Sequence, residues 1–205
     1  MRGVTSARGL AAPPALAHVD VVATLERALA ARASTRLEVA GYRRAAVAVL
    51  LVERAGGSRI PLIVRGAGAP THSNQVAFPG GTCDPGEVDP IATARREAEE
   101  ELGVPRTAAR VLGLLDDVPT PTGFIITPVV AELAPTVTLR PDPREVAAWF
   151  EAPLALFLDR AAAESMGERE WQGVRYELRA YRHGDLRIWG ATARIMESLV
   201  DLLAG

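Results

Sequence analysis

The stretch Gln75–Pro105, "QVAFPGGTCDPGEVDPIATARREAEEELGVP", decides how this chain folds. Its second half predicts a helix from about Pro90 to Leu102. Asp89 suits the N-cap, Pro90 the first helical position, and Gly103 followed by Pro105 the stop. Ile91, Ala94 or Arg95, Ala98 and Leu102 recur at helical spacing, a narrow stripe of mostly small residues suited to close packing on a sheet. Glu97, Glu100 and Glu101 stand at i, i+3 and i+4 and share another face, while Glu99 points elsewhere. A run of like charges on a helix is ordinarily a solvated face, at a cost of roughly a few tenths of a kcal/mol per pair. Three carboxylates within one turn gain a purpose when a cation joins them, and hard divalent ions such as Mg²⁺ favour oxygen ligands. The first half of the stretch supplies the complement. Gly80-Gly81 and the turn Asp84-Pro85-Gly86 let the backbone fold tightly and approach a ligand closely. A glycine loop feeding an acidic helix points to metal-bound phosphate.

Gly81, five residues, Glu87, and later Arg96 to Val104 ("REAEEELGV") together resemble the Nudix box, the signature of hydrolases acting on nucleoside diphosphates linked to another moiety. Every fixed position is filled, with Ala98 and Val104 as the apolar members. Eight residues rather than the usual seven separate Glu87 from Arg96. The coenzyme A pyrophosphatase branch shares this longer spacing, around a turn that here reads "DPGE". That branch also carries "QVAFPGG" before the box, matched by Gln75–Gly81, a strand matched by "GFIITPVV" (Gly123–Val130), and a C-terminal segment matched by "WGATA" (Trp189–Ala193). The resemblance covers residues 42 to 203 or so.

The resemblance implies an α/β/α sandwich with a mixed central sheet, and Mg²⁺ or Mn²⁺ as cofactor. It implies Glu97, Glu100, Glu101 and the Gly80 carbonyl as metal ligands, and an Arg96–Glu87 ion pair that orients loop against helix. The water's proton acceptor is one of Glu100, Glu145, Asp116 and Asp117. Arg65 takes the place of an arginine in the branch's upstream motif and, with Gly80 and Gly81, lines the substrate phosphates. The rest of that motif is degraded: Pro70 stands where a second arginine is expected, so a substrate phosphate contact is missing. His72, just before the glycine loop, is either near a phosphate or an ordinary solvated histidine. The expected reaction is hydrolysis of coenzyme A to 4'-phosphopantetheine and 3',5'-ADP. ADP-ribose or another nucleoside diphosphate derivative is the alternative substrate, and a non-catalytic nucleotide-binding module the third reading.

The whole chain sets bounds on these readings. Its 205 residues are 48% hydrophobic with a formal net charge of -2, enough for one buried core and too near neutral for broad nucleic-acid affinity. The lone cysteine, Cys83, excludes an intrachain disulfide and suits a reducing cytoplasm. No run of about 18 apolar residues predicts a membrane span. Residues 1–18 mix Ala, Pro and Gly without periodicity and read as a loose arm, with a single domain over 19–205. Val22, Leu25, Ala28 and Leu29 predict a helix from Val19 to about Arg32, docked on the domain or on the partner of a homodimer. Strands are expected at 45–52, 61–65, 109–117 and 124–133. After them come a strand and short helix in "EVAAWFEAPLALFLDR", a strand in "RYELRAYRH", and a last helix over about Ile188–Leu203.

Overall fold

The computed structural model describes residues 16–66, 75–171 and 173–205. In chain order the elements are α1 (His18–Ala30), β1 (Arg43–Arg54), β2 (Gly57–Arg65), β3 (Val76–Ala77), β4 (Gly80–Thr82), α2 (Pro90–Leu102), β5 (Ala109–Leu114), β6 (Val118–Pro119), β7 (Phe124–Leu133), β8 (Val146–Pro153), α3 (Ala155–Leu158), a 3₁₀ turn at Arg160–Ala162, β9 (Glu164–Trp171), β10 (Val174–His183), β11 (Leu186–Trp189) and α4 (Gly190–Ala204).

The central sheet runs β3-β2-β1-β7-β5, with β4 on β1, β6 on β7 and β8 on β2. Its axis is the parallel pairing of β1 with β7, in register from Arg43↔Phe124 to Val52↔Leu133. The other pairings in this sheet are antiparallel, so it is mixed. Both strands are nearly continuous apolar text because both faces of the sheet are covered. On one face Ala46, Ala48, Leu50 and Val52 of β1 meet Ala94, Ala98 and Leu102 of α2. The small residues on both sides let helix and sheet approach closely. On the other face Val49 and Leu51 join Leu25 and Leu29 of α1 and Met196 and Leu199 of α4. Helices on both faces make this an α/β/α sandwich. Each fully buried Leu contributes about 1.5–3 kcal/mol relative to an exposed one.

The apolar face of α1 therefore docks on its own domain, where its Leu29 Cβ lies 2.8 Å from the place a side chain would occupy at Gly113 of β5. The helix begins one residue earlier than the sequence suggests. His18, assigned above to the arm, is buried, and its Nδ1 is 2.9 Å from the Ser58 hydroxyl. Residues 1–15 of that arm lie outside the described residues, and the Ala17 carbonyl accepts from the Val21 N–H at the start of α1. The separate antiparallel sheet β9-β10-β11 was only partly foreseen, through β10. β9, "ESMGEREW", is polar and almost wholly exposed, so it shows none of the alternation by which a half-buried strand is recognised.

Candidate active site

The acidic helix is fixed at both ends as its sequence dictates. The Asp89 carboxylate accepts from the Ile91 N–H at 2.9 Å, Pro90 opens the helix, and Gly103 closes it at φ 66°, in the left-handed region. The glycine loop is pressed against this helix. Gly80 and Gly81 pair with Val47 and Ala46 of β1. A Cβ at Gly80 would lie 2.5 Å from the Ala46 carbonyl oxygen, and one at Gly81 would lie 2.3 Å from Glu97 Oε1. Only glycine permits this contact.

Glu101 is 1% exposed. The Gly80 N–H donates to its Oε2 at 2.8 Å, and Arg65 Nη1 lies 3.5 Å from its Oε1 while donating to the Gly80 carbonyl at 3.2 Å. Arg96 gathers the remaining carboxylates. Its Nη1 donates to Glu97 at 2.8 Å and to the exposed Glu100 at 3.2 Å; its Nη2 reaches Glu87 at 3.4 Å and the Thr82 carbonyl at 3.1 Å. The Arg96–Glu87 pair thus ties loop to helix. The Thr93 hydroxyl (2.7 Å) and the Asp84 N–H (3.2 Å) also donate to Glu87. Thr93 is not marked by the sequence, and Asp84 is marked only as the start of a turn. The available signal was a hydroxyl in the first helical turn, six residues after Glu87. Glu145 precedes β8; its carbonyl accepts from the Gly66 N–H at 2.9 Å, and its charge bears on both Glu97 and Glu101.

These surroundings displace the titrations in opposite directions. Burial pushes the Glu101 carboxyl up to about 7, outweighing the Gly80 N–H and the Arg65 charge, with repulsion from Glu97 and Glu145 adding to the rise. Burial also raises Glu97, against its hydrogen bond from Arg96. At Glu87 the Thr93 hydrogen bond, helped by Asp84 and Arg96, holds the carboxyl below its usual range despite some desolvation.

The three helix glutamates lie along one side of α2, yet they do not meet at one point. Among the described residues no three Asp, Glu, His or Cys side chains are grouped closely enough to hold one ion. Glu101 turns to Arg65, Glu97 and Glu100 to Arg96. The donor chemistry nevertheless fits a hard divalent cation. It is all oxygen, its members repel one another, and guanidinium groups already sit where positive charge is needed.

The carboxylates of Asp116 and Asp117 are engaged with other partners. Asp116 accepts from Arg32 and from the Thr35 N–H (2.6 Å); these donors overcome its desolvation and hold its pKa down. Buried Asp117 accepts from Arg36 (2.5 Å), the Thr127 hydroxyl (2.6 Å) and the Leu37 N–H (2.9 Å), and pairs with Arg44 at 3.0 Å. Both clamp the segment that follows α1. Pro70 and His72 lie outside the described residues. Cys83 is half-buried, and its N–H donates to the Arg44 carbonyl at 3.0 Å.

Residues 42–171 match the family model of the NUDIX domain. The chain belongs to the Nudix hydrolase family. It is 38% identical over 137 residues to the uncharacterized Nudix hydrolase NudL of Photorhabdus laumondii, covering 67% of this chain and 73% of that one. To the protein of the same name from Escherichia coli K12 it is 36% identical over 173 residues, covering 79% and 83%. A crystal structure of a Caenorhabditis elegans Ap4A hydrolase binary complex aligns with a TM-score of 0.47 at 22% identity, covering 54% of this chain and 80% of that one. As a Nudix hydrolase the protein is an enzyme that acts on small nucleotide substrates and needs a divalent cation. No helix among its described residues is long and apolar enough to cross a membrane.

Proposed function

We propose that this Nudix hydrolase cleaves the diphosphate bond of coenzyme A. The hydrolytic part of the reading is carried by one observation: the Gly80-Gly81 backbone is seated directly on Glu97 and Glu101 of the acidic helix. Glu97, Glu100, Glu101 and the Gly80 carbonyl would hold Mg²⁺ or Mn²⁺. A bound ion there supplies charge neutralisation of the diphosphate and a lowered pKa for the attacking water. Arg96, braced by Glu87, keeps Glu97 and Glu100 turned toward the loop. Two carboxylates are the candidates to take the proton of that water: Glu100, which is exposed, and Glu145, whose charge reaches Glu97 and Glu101. The water oxygen ends on one phosphorus and the bridging oxygen leaves with the other.

The substrate is read from "QVAFPGG", "GFIITPVV" and "WGATA". Two motif threonines have work inside the scaffold: Thr192 donates to the Val76 carbonyl at 3.0 Å and Thr127 to Asp117 at 2.6 Å. Specificity therefore rests on the remaining motif residues and on Arg65, with Pro70 in place of the second arginine. A lost charge-assisted contact to the 3'-phosphate is worth roughly 1.5–3 kcal/mol. Coenzyme A should be cut to 4'-phosphopantetheine and 3',5'-ADP, and dephospho-coenzyme A about as well. Steady-state kcat/KM for coenzyme A, dephospho-coenzyme A and ADP-ribose, measured side by side with Mg²⁺ or Mn²⁺, decides the matter. A clear preference for ADP-ribose over both others would overturn the coenzyme A reading in favour of an ADP-ribose pyrophosphatase. The near-neutral charge and single cysteine suit work in the cytoplasm on a small molecule rather than on nucleic acid.

A further inference from the structure

Arg65 occupies a position that a simple substrate clamp would not. Its Nη1 lies 3.2 Å from the Gly80 carbonyl and 3.5 Å from Glu101 Oε1, two oxygens that the proposed function gives to a metal ion. A guanidinium that donates to one of these oxygens and is ion-paired with the other competes with a divalent cation for them, and its positive charge repels the newcomer. The two partners differ in freedom. The Glu101 side chain is 2% exposed and held by the Gly80 N–H, whereas that of Arg65 is 31% exposed. Its backbone is fixed at the end of β2 by the Gln75 carbonyl, which accepts from the Arg65 N–H at 3.1 Å. When a cation arrives, the group able to withdraw is the Arg65 side chain. Arg96 is different: its side chain is 17% exposed and tied to Glu87, Glu97, Glu100 and the Thr82 carbonyl at once.

We propose that Arg65 is a resident counter-cation: it holds Glu101 and the Gly80 carbonyl in the metal-free protein, yields them to the metal, and is thereby freed to meet a substrate phosphate. Metal binding then precedes full recognition of substrate. Arg65 acts on the metal through its ligands and is a positioning residue in that step. The inference rests on the reading of Gly80 and Glu101 as ligands. It makes a prediction of sign that the alternatives do not share. Removing an orienting residue weakens metal binding, and removing a pure substrate clamp leaves it unchanged. Removing a competitor tightens it.

The test is calorimetric titration of Mn²⁺ into the metal-free protein without substrate, using the wild type, Arg65→Met, Arg65→Gln and Glu101→Gln, each first checked for a native circular dichroism spectrum. Both Arg65 variants should bind Mn²⁺ about two- to fivefold more tightly, the scale of a part-exposed ion pair. With coenzyme A they should show a raised KM and a less affected kcat. Unchanged or weaker Mn²⁺ binding by the Arg65 variants, beside weakened binding by Glu101→Gln, would overturn the counter-cation role and leave the ligand reading standing. Mn²⁺ binding insensitive to Glu101→Gln would overturn the ligand reading and this inference with it.

Discussion

Two clusters in this molecule pair arginines with carboxylates, and their charge balances run in opposite directions. In the first, Glu87, Glu97, Glu100 and Glu101 face Arg65 and Arg96. In the second, Asp116 and Asp117 face Arg32, Arg36 and Arg44, with backbone and hydroxyl donors completing the shell. The titrations differ as well, because burial raises Glu101 and hydrogen-bond donors lower Asp116. Glu101 is pushed up to about 7, while Asp116 is held below its ordinary value. An acid-rich cluster with too few cations of its own is suited to receive one from outside. A cluster with cations to spare is closed, and its product is a fixed chain path. Residue type alone does not separate the two roles; the ratio of partners does.

The sharpest way to break this comparison is to remove one carboxylate from each cluster. Glu101→Gln keeps the acceptor for the Gly80 N–H and should keep the fold, but kcat should fall by about 10² to 10⁴. Full activity of this variant at saturating coenzyme A would put the two clusters in the same class. Asp117→Ala should do the reverse. It leaves Arg36, Arg44, Thr127 and the Leu37 N–H without their shared acceptor, and stability should drop by about 2–3 kcal/mol. That is less than the roughly 3–5 kcal/mol of a fully buried pair, because both guanidiniums are partly wet. Urea unfolding gives the loss, and kcat per folded molecule should stay near wild type.

A smaller effect sharpens the comparison through pH. In the metal-free protein Glu101 titrates near 7, against 4.5 for an ordinary glutamate. Between those values the folded state binds more protons than the unfolded state, so stability falls as pH rises through this window. The Tm of chelator-treated protein should decline from pH 5 to pH 8. The decline should flatten in Glu101→Gln, where no proton can bind. Added Mn²⁺ should stabilise more at pH 8 than at pH 5, because at the lower pH it must displace that proton. An identical decline in Glu101→Gln would assign the slope to another group.

The acid-rich cluster was legible in the sequence to a degree that the closed one was not. Helix α2 occupies the predicted Pro90–Leu102, because an Asp-Pro start and a Gly stop are local signals. Strand β7 occupies the predicted Phe124–Leu133, because burial on both faces leaves an unbroken apolar run. The box spacing named Arg96 and Glu87, and the structure brings them together. Asp116 and Asp117 could not be told from site carboxylates, since an aspartate after a strand looks the same whether its partners are absent or lie far back in the chain at Arg32, Arg36 and Thr35. The short strands β3, β4 and β6 are two or three residues long and carry no periodicity to detect. For Arg65 the position was visible and its present partners were not, because whether it faces solvent or Glu101 depends on how β2 and β4 sit on β1.

The long register of β1 against β7 also has a consequence for how the chain comes to be folded. Its pairs, such as Arg43↔Phe124, join residues 81 apart in sequence. Closing a loop of that size comes late, after its entropy has been met by many contacts at once. Helix α2, 13 residues long and crowded with like charges, is marginal alone in water. The apolar face it lies on, begun by β1, is completed only when β7 adds Val129 and Ala131. During synthesis the glycine loop and the acidic helix therefore leave the ribosome well before they can assemble. A chain interrupted before Phe124 should have no partial enzyme to offer, and quality-control proteases should treat it as an unfolded polypeptide.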